Sequence, residues 1–233
     1  MKSDKNKTHS DYYLNKQLNI DKTLIRYRFD YERQFFKGES CLEMGPADGV
    51  MTEKLSKVFE TLHVVDGDKK LLNVIENKKN IVKFHSWFEN FTPPTSYDTI
   101  IMEHILEHVD KPKEIINKAK NWLKKEGVII AGVPNAKSIH RLAAVKMGLL
   151  KTEHHLNARD ISQGHKRVYD LKSFEKEFLA CDLNIVHKGG VFIKPLSFNQ
   201  IEKNWTADMI DGFYKLGYDF PEITADLVIV ASK

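Results

Sequence analysis

The chain has few cysteines, no long apolar run and only a small net charge, and each of these features excludes a class of protein. Its 233 residues include 2 cysteines, Cys41 and Cys181, each inside an apolar run, which excludes a disulfide framework and favours a reducing cytoplasm. The apolar runs at 128–133 and 227–231 are far shorter than the roughly 20 residues that span a bilayer. The positively charged start has no apolar segment behind it, so we expect neither a secretory signal nor a membrane partner.

Neither sign of charge dominates the sequence. There are 36 lysines and arginines against 32 aspartates and glutamates, which gives a net charge of +4 without a basic block. A nucleic-acid partner is therefore not expected, because it would call for a stripe of basic and aromatic residues. The composition, 42% hydrophobic and 29% charged, is ordinary for a single globular domain with one sizeable core.

From residue 40 onward, short apolar runs alternate with longer amphipathic ones. This alternation predicts an α/β fold, a Rossmann-like, mostly parallel seven-stranded sheet with helices on both faces. The predicted strands are 40–44, 61–66, 81–85, 97–102, 127–133, 183–186 and 224–231. We divide the single domain into leading helices, a cofactor-binding half, a lid insertion after the fifth strand, and a completion of the sheet with a helical insertion, at 1–37, 38–135, 136–170 and 171–233.

The first predicted strand runs into a glycine-containing loop, L-E-M-G-P-A-D-G at 42–49. Gly45 and Gly49, with small Ala47 between them, let the backbone turn tightly and lie close to a flat ligand. Val50 stands where a dinucleotide fingerprint expects Gly or Ala, and no Gly-Lys-Ser/Thr follows as in a P-loop. The glycines by themselves are equally compatible with a plain tight turn.

Acidic residues stand near the predicted ends of three strands. Ligands of such sheets bind beyond the carboxyl ends of the strands, where Glu43, Asp66 and Glu103 are expected to meet. Asp66 follows Glu43 by 23 residues and is placed to accept both hydroxyls of a ribose. The alternative role of a helix cap fits Asp68 better than Asp66. Three acids facing a glycine loop favour a cationic cofactor with an adenosine tail.

These segments resemble the class I S-adenosylmethionine-dependent methyltransferases, and within them the small-molecule branch that includes the ubiquinone-biosynthesis O-methyltransferases. The likeness covers 41–135 and continues beyond it only in the order of elements; it rests on 42–49, 64–66, 97–109, 124–130 and 133–135. The family commonly has Gly where Ala47 stands and often Asp where Glu43 stands. The resemblance implies S-adenosylmethionine as cofactor and S-adenosylhomocysteine as product.

The resemblance also implies which residues hold the cofactor. Its amino-acid part would lie against the glycine loop, at Glu43, Gly45, Ala47, Asp48 and Gly49, with Glu103 at the methionyl end. The ribose would lie at Asp66 and Gly67, and the adenine near Ser86, Trp87 and Phe88, although the two aromatics suit a core role equally well. Tyr13 and Arg28, in the leading helices, could close over the methionine carboxylate or have an ordinary surface role.

A competing motif overlaps this region. H-I-L-E-H at 104–108 matches the H-x-x-E-H pattern of inverted zinc metallopeptidases, in which His104, Glu107 and His108 would form a hydrolytic site. That site needs a continuous helix, whereas Pro112 follows closely and leaves room for at most one or two turns. We therefore predict no metal ligand here and keep a zinc hydrolase as an alternative function.

Methyl transfer to an alcohol requires removal of a proton, which a positioned histidine can accomplish. His165, among basic residues in the lid, is the first candidate base, and His108 is the second. The candidates for binding the acceptor are Asn135, His140, Arg141, Arg167, Tyr169 and Lys194. A solvated basic turn is the other interpretation of the segment around His165.

The cations among these residues suit a phosphate or carboxylate group. We therefore predict methylation of an oxygen on a small polar or phosphorylated metabolite, such as a sugar nucleotide. A methyltransferase-like binding protein without turnover is the alternative from another class. The apolar segment 205–218 leaves a homodimer possible.

Overall fold

The computed structural model describes Leu14 and residues 19–233, and it has a single seven-stranded sheet. The strand order is β3-β2-β1-β4-β5-β7-β6. The first five strands along the chain are parallel to one another, whereas β7 runs antiparallel to both β5 and β6. The strands are β1 (Ser40–Met44), β2 (Thr61–Asp66), β3 (Ile81–His85), β4 (Tyr97–Glu103), β5 (Leu123–Pro134), β6 (Asn184–Val191) and β7 (Asp226–Ser232). The mostly parallel Rossmann-like sheet predicted from the alternation is confirmed.

Helices connect these strands and cover both faces of the sheet. They are α1 (Asn19–Glu32), α2 (Val50–Leu55), α3 (Lys69–Val74), α4 (Pro112–Trp122), α5 (Ile139–Lys146), α6 (Ala158–Ser162), α7 (Leu171–Leu179), α8 (Phe198–Asn204) and α9 (Ala207–Asp219). Two short 3-10 turns, Arg33–Phe35 and Pro221–Ile223, complete the described part of the chain. Most differences from the predicted boundaries are a few residues at the ends of elements.

The side chains of the central strands alternate between two apolar clusters, one on each face of the sheet. Leu42, Ile100 and Ile129 belong to one cluster, and their neighbours Ile101 and Ile130 belong to the other. This alternation follows from the period of two in a strand, and burial on both faces is typical of parallel sheets. The two cysteines are buried and free, as the absence of a disulfide framework predicts.

Two insertions shape the edge of the sheet where the strands end. The first, 136–170, follows β5 and contains α5 and α6; its two ends are joined by a bridge between Asn135 and Tyr169. We call this insertion the lid. The second contains α8 and α9 and packs on α1, where the rings of Tyr27 and Tyr214 stack at 4.0 Å between centroids. This packing occupies part of the apolar segment 205–218, and the homodimer stays a prediction.

Among the described residues, no helix combines the length and the apolar character that crossing a membrane requires.

Candidate active site

A cavity of about 1380 Å³ opens beyond the carboxyl ends of the parallel strands, between α1 and the lid. Its wall includes the three strand-end acids Glu43, Asp66 and Glu103 together with Gly45. Since parallel strands end at one edge of the sheet, residues that are far apart in sequence meet here. The convergence predicted from the sequence is present.

The loop after β1 turns through three residues with left-handed backbone. Gly45, Ala47 and Gly49 have φ angles of 74°, 49° and 83°. The Gly45 N–H donates to the carbonyl of Val65 at 2.9 Å and ties the loop to β2. A left-handed alanine costs roughly 1 kcal/mol, which explains why glycine suits position 47 better. Asp48 and Gly49 are not part of the cavity wall, and Asp48 Oδ1 accepts from the Val50 N–H at the start of α2.

The acids at the ends of β1 and β2 are held in different ways. Glu43 is buried in the wall, and burial raises its pKa to about 8. Burial also raises the pKa of Asp66, to about 6, and Asp66 Oδ1 accepts the Asp68 N–H at 2.6 Å. Asp68 in turn caps α3 by accepting from the Lys70 N–H at 2.8 Å. The helix-cap role therefore belongs to Asp68, as the sequence indicates, and Asp66 faces the cavity.

Two aromatic side chains border the cavity near β3. The Trp87 ring lies directly on Gly67, where a Cβ atom would approach the ring to 2.4 Å. Phe88 lies beside Gly45, and both aromatics line the cavity. Ser86 does not line it; its backbone N–H donates to the Asp66 carbonyl and continues the link between the strands. Of the three residues predicted to surround the adenine, Trp87 and Phe88 line the cavity and Ser86 does not.

Arg28 of α1 lies inside a buried cluster of charged groups at the ends of β4 and β7. Its Nη1 donates to Asp226 Oδ2 at 2.7 Å, and its Nε lies 3.4 Å from Glu103 Oε2. Burial opposes the charge on Arg28, but Asp226 and Glu103 together raise its pKa. Burial and the neighbouring charge of Glu103 raise the pKa of Glu32 well above its usual range. Arg28 is therefore held at the cavity by acids from two strands.

Gly132 of β5 makes room for Glu103. A Cβ atom at this position would stand 2.3 Å from either Glu103 carboxylate oxygen. The carboxylate therefore lies against the backbone of the neighbouring strand, which a larger residue would prevent. A glycine inside a strand signals such a close approach, but the signal does not say what approaches.

His104 follows β4 with a left-handed backbone, at a φ of 52°. Its Nε2 lies 2.7 Å from Arg28 Nη1 and its Nδ1 lies 3.2 Å from Glu107 Oε1. The segment 104–110 forms turns and not a helix. The alternative zinc site, in which His104, Glu107 and His108 would share one helix face, is therefore not supported, because β4 passes directly into a left-handed turn.

The two candidate bases meet under the lid. His108 and His165 both line the cavity, and their rings pack edge to face with centroids 4.7 Å apart. His165 Nδ1 lies 3.6 Å from Asp160 Oδ1 of α6. Glu107 beside them is fully buried; burial alone would raise its pKa, but His104 and the histidine pair lower it to about 2. The site thus contains an ionised carboxylate next to two imidazoles.

Several residues predicted to bind the acceptor are instead occupied within the protein. Arg141 lines the cavity, but its Nη1 donates to Asp160 Oδ2 at 3.0 Å and its Nε donates to the Glu153 carbonyl. Arg167 does not line the cavity; its guanidinium donates to the carbonyls of Leu106 and Val109. Arg141 thus stabilises the lid internally, and Arg167 binds the lid to the turn after β4. These structural roles replace the predicted role in binding the acceptor.

Asn135 and Tyr169 also have internal roles. The buried Asn135 Nδ2 donates to the carbonyls of Glu222 and Thr224, both at 2.9 Å, so its amide holds the start of the lid against the approach to β7. Tyr169 is buried in the core and lies outside the cavity wall. Asn135 lines the cavity although its amide is engaged in these hydrogen bonds, whereas Tyr169 is not presented to an acceptor.

Lys194 and His140 form a less occupied end of the cavity. The Lys194 ammonium lies 3.9 Å from the centroid of the Phe198 ring, and within the described residues it forms no hydrogen bond or ion pair. Burial, and next the charge of Arg159, lower its pKa to about 8. Burial lowers the pKa of His140 to about 3, so its ring is neutral, and its Nδ1 is buried without a hydrogen bond in the described structure. This end can receive an anionic group.

Of the other predicted residues, Tyr13 lies outside the described part of the chain. The sequence reasoning missed Glu32, Gly132, Asp160 and Asp226. Asp226 could have been found from the sequence, since it stands near the start of the apolar closing strand. That strand is antiparallel and therefore begins at the edge where the parallel strands end. Glu32 and Asp160 sit in helices, where nothing in the sequence distinguishes them from surface acids.

The chain matches the family described as "Methyltransferase domain" over residues 17–188. It is 21% identical over 189 residues to the mitochondrial ubiquinone biosynthesis O-methyltransferase of Schizosaccharomyces pombe (strain 972 / ATCC 24843). That alignment covers 76% of this chain and 65% of the relative, so the chain spans slightly less than two thirds of that protein's length.

Solved structures share the fold at low sequence identity. The N-methyltransferase NodS from Bradyrhizobium japonicum WM9, in complex with S-adenosyl-L-homocysteine, superposes with a TM-score of 0.55 at 14% identity, covering 90% of this chain and 83% of NodS. An S-adenosylmethionine-dependent methyltransferase from Mesorhizobium loti superposes with a TM-score of 0.64 at 11% identity, covering 89% of this chain and 98% of that protein. The family match, which takes in β1 to most of β6, and the shared strand topology lead to one conclusion: the chain belongs to the class I S-adenosylmethionine-dependent methyltransferases.

Proposed function

We propose that this protein transfers the methyl group of S-adenosylmethionine to an oxygen atom of a small anionic metabolite bound under the lid. The observation that carries the proposal is the division of charge in one continuous cavity. The acids Glu43, Asp66 and Glu103 line the end formed by β1, β2 and β4. Lys194 and His140 line the other end, where Asp160 and Asp226 are already paired with Arg141 and Arg28.

The acidic end fits the cofactor. Glu43 Oε2 and both Glu103 oxygens are buried without a well-aligned hydrogen bond among the described residues, and both side chains line the cavity. Buried carboxylates in this condition favour a ligand that brings positive charge and N–H donors. A sulfonium amino acid with an adenosine tail meets that demand, and it supplies a methyl group already activated for in-line displacement.

Individual residues can be given roles toward that cofactor. Gly45 and Ala47 would let the backbone approach its amino-acid part, and Glu103 would accept from its ammonium group. Asp66 would accept from both ribose hydroxyls, while Trp87 and Phe88 would flank the adenine. These assignments follow the family resemblance and are supported by the position of all six residues in the cavity wall.

The opposite end supports an anionic acceptor. The half-buried Lys194 ammonium has no ion pair among residues 19–233, which is costly, and a phosphate or carboxylate on the acceptor would relieve that cost. His108 and His165, on the same wall, are the groups able to take up the proton of an acceptor hydroxyl. The predicted binding of phosphate thus rests on Lys194 and no longer on Arg141 or Arg167.

The test is a screen for methylation with matched acceptors. Purified protein and S-adenosylmethionine are incubated with hydroxyl compounds that carry a phosphate or carboxylate and with their uncharged analogues, and S-adenosylhomocysteine release and product mass are measured. Lys194→Met should raise the KM of the anionic acceptors about 10- to 150-fold at unchanged kcat, because a charged hydrogen bond is worth about 1.5 to 3 kcal/mol.

Lys146→Met is the matched control, since Lys146 is an exposed lysine at the end of α5 and outside the cavity wall. Binding of S-adenosylhomocysteine without methylation of any acceptor would favour a binding protein without turnover. Equal use of charged and uncharged acceptors would overturn the anionic part of the proposal.

A further inference from the structure

Three side chains of the types that bind transition metals meet under the lid. Glu107 and His108 come from the turn after β4, and His165 comes from the lid, so only the folded chain brings them together. One potential ligand atom from each lies within 4.8 Å of the other two. This group differs from the sequence motif, because His165 takes the place of His104.

The Glu107 carboxylate lacks a full set of partners. Its side chain is 0% exposed, and among the described residues neither oxygen completes a well-aligned hydrogen bond, although His104 Nδ1 lies 3.2 Å away. His108 Nε2 lies 3.9 Å from the same oxygen. Buried carboxylates nearly always have hydrogen-bond partners, and a bound cation is one explanation for an exception.

The geometry suits a site with open coordination positions. His108 and His165 line the cavity, whereas Glu107 lies behind them, so a cation between the three would face the cavity on its remaining side. Two histidines and one carboxylate, with a position left for water or substrate, are typical of catalytic zinc sites. Tetrahedral zinc with bonds of about 2.0 to 2.1 Å sets its ligand atoms roughly 3.3 Å apart, so the groups need to close by up to about 1.5 Å.

The lid also provides a carboxylate that can orient one ligand. Asp160 Oδ1 lies 3.6 Å from His165 Nδ1, and Asp160 itself is fixed by Arg141 Nη1 at 3.0 Å and by the Asn157 N–H at 2.9 Å. Metal-binding histidines usually direct their second ring nitrogen at such a carboxylate, which sets the tautomer. The ion pair between Arg141 and Asp160 would therefore hold the carboxylate that orients His165.

We propose that Glu107, His108 and His165 bind a divalent transition-metal ion, with Zn²⁺ the ion that this ligand set suits best. The ion would hold the oxygen of the acceptor and lower the pKa of its hydroxyl group, and the proton would leave to water in the cavity. With the ion bound, the histidines would serve as ligands, and the proton-accepting role that the proposed function gives them would pass to water. The reaction part of this inference rests on the proposed function, but metal binding does not.

The experiment measures metal binding directly. Protein stripped with a chelator is titrated with Zn²⁺ against a chromophoric competitor, and with Co²⁺, whose visible absorption reports the coordination geometry. One equivalent should bind. Glu107→Gln and His165→Ala should each weaken binding by about 100-fold or more, since even the partners of metal ligands contribute 10- to 100-fold.

His155→Ala is the control, because His155 is an exposed histidine of the same lid outside the cavity wall. Titration with S-adenosylhomocysteine checks that each variant keeps the fold. Absence of saturable Zn²⁺ and Co²⁺ binding, or equal affinity in the ligand variants and the control, would overturn the inference while leaving the proposed function intact. Stoichiometric binding without methylation of any acceptor would instead count against the proposed function.

Discussion

The two ends of the cavity are built in opposite ways. At the cofactor end, short acidic side chains project from strand ends, and the hydrogen bonds of the sheet fix their positions. At the lid end, long basic side chains and histidines come from loops and short helices. Arg141 is satisfied by partners inside the lid, and Arg167 is satisfied by carbonyls of the turn after β4. Backbone geometry therefore specifies the acidic end of the cavity, while contacts between side chains specify the lid end.

The largest effect is expected from breaking the lid's internal ion pair. Arg141→Leu leaves the Asp160 carboxylate buried without its cation, and removal of one partner of a buried pair costs about 3 to 5 kcal/mol. For a chain of this size the thermal midpoint should fall by about 6 to 20 °C. Calorimetry measures the shift, while titration should show nearly unchanged affinity for S-adenosylhomocysteine.

Arg26→Leu serves as control for the arginine variant, because Arg26 is exposed on α1 and surface changes stay within about 0.5 kcal/mol. Equal midpoints for the two variants would mean that side-chain contacts do not specify the lid end.

At the acidic end, the next largest effect is expected on binding and not on stability. Asp66→Asn removes the charge that accepts the ribose hydroxyls, and charged hydrogen bonds of about 1.5 to 3 kcal/mol correspond to an affinity loss of about 10- to 150-fold. Isothermal titration with S-adenosylhomocysteine measures it. Asp30→Asn, an exposed acid of α1, should bind as the wild type does. An undiminished affinity of the Asp66 variant would separate this acid from the cofactor.

The third expected effect is a difference in the pH dependence of stability. Burial raises the pKa of Glu43 from an ordinary 4.5 to about 8, so the folded state keeps this proton longer than the unfolded chain does. The contribution to stability is complete below pH 4.5 and is lost as the pH rises through 8. Glu43→Gln should therefore gain in thermal midpoint relative to the wild type between pH 5 and 9, in protein without cofactor.

The exposed Glu60→Gln provides the baseline for that pH series. If the thermal midpoints of the wild type and the Glu43 variant changed in parallel with pH, burial would not raise the pKa of Glu43. Glu43 would then ionise like an exposed carboxylate.

The acidic end was predictable from the sequence because strand ends follow from apolar periodicity. Once β1, β2 and β4 are located, the topology brings Glu43, Asp66 and Glu103 to one edge. Even the division of labour between Asp66 and Asp68 followed from local capping chemistry. Arg28 was named as a cavity residue, but its pairing with Asp226 depends on a strand almost two hundred residues away.

The lid end was not predictable at the same depth. The reach of an arginine side chain allows many partners, and the sequence does not show that Arg141 and Arg167 turn inward to carbonyl groups. The spacing of H-x-x-E-H is also that of a zinc-binding helix, which the nearby Pro112 disfavours, but only the structure shows the left-handed turn at His104. The pairing of His108 with His165 needs the fold of the whole lid, and no local pattern encodes it.

The contact between Arg28 and Asp226 also has a consequence for biosynthesis. The two residues are 198 positions apart, so at roughly 5 to 20 residues per second the ribosome needs about 10 to 40 s to supply the second after the first. Until β7 has been translated, the arginine side chain lacks its closest acidic neighbour and the sheet lacks the strand between β5 and β6. A nascent chain therefore cannot assemble this binding pocket step by step during translation; the pocket is completed only when the antiparallel strand inserts.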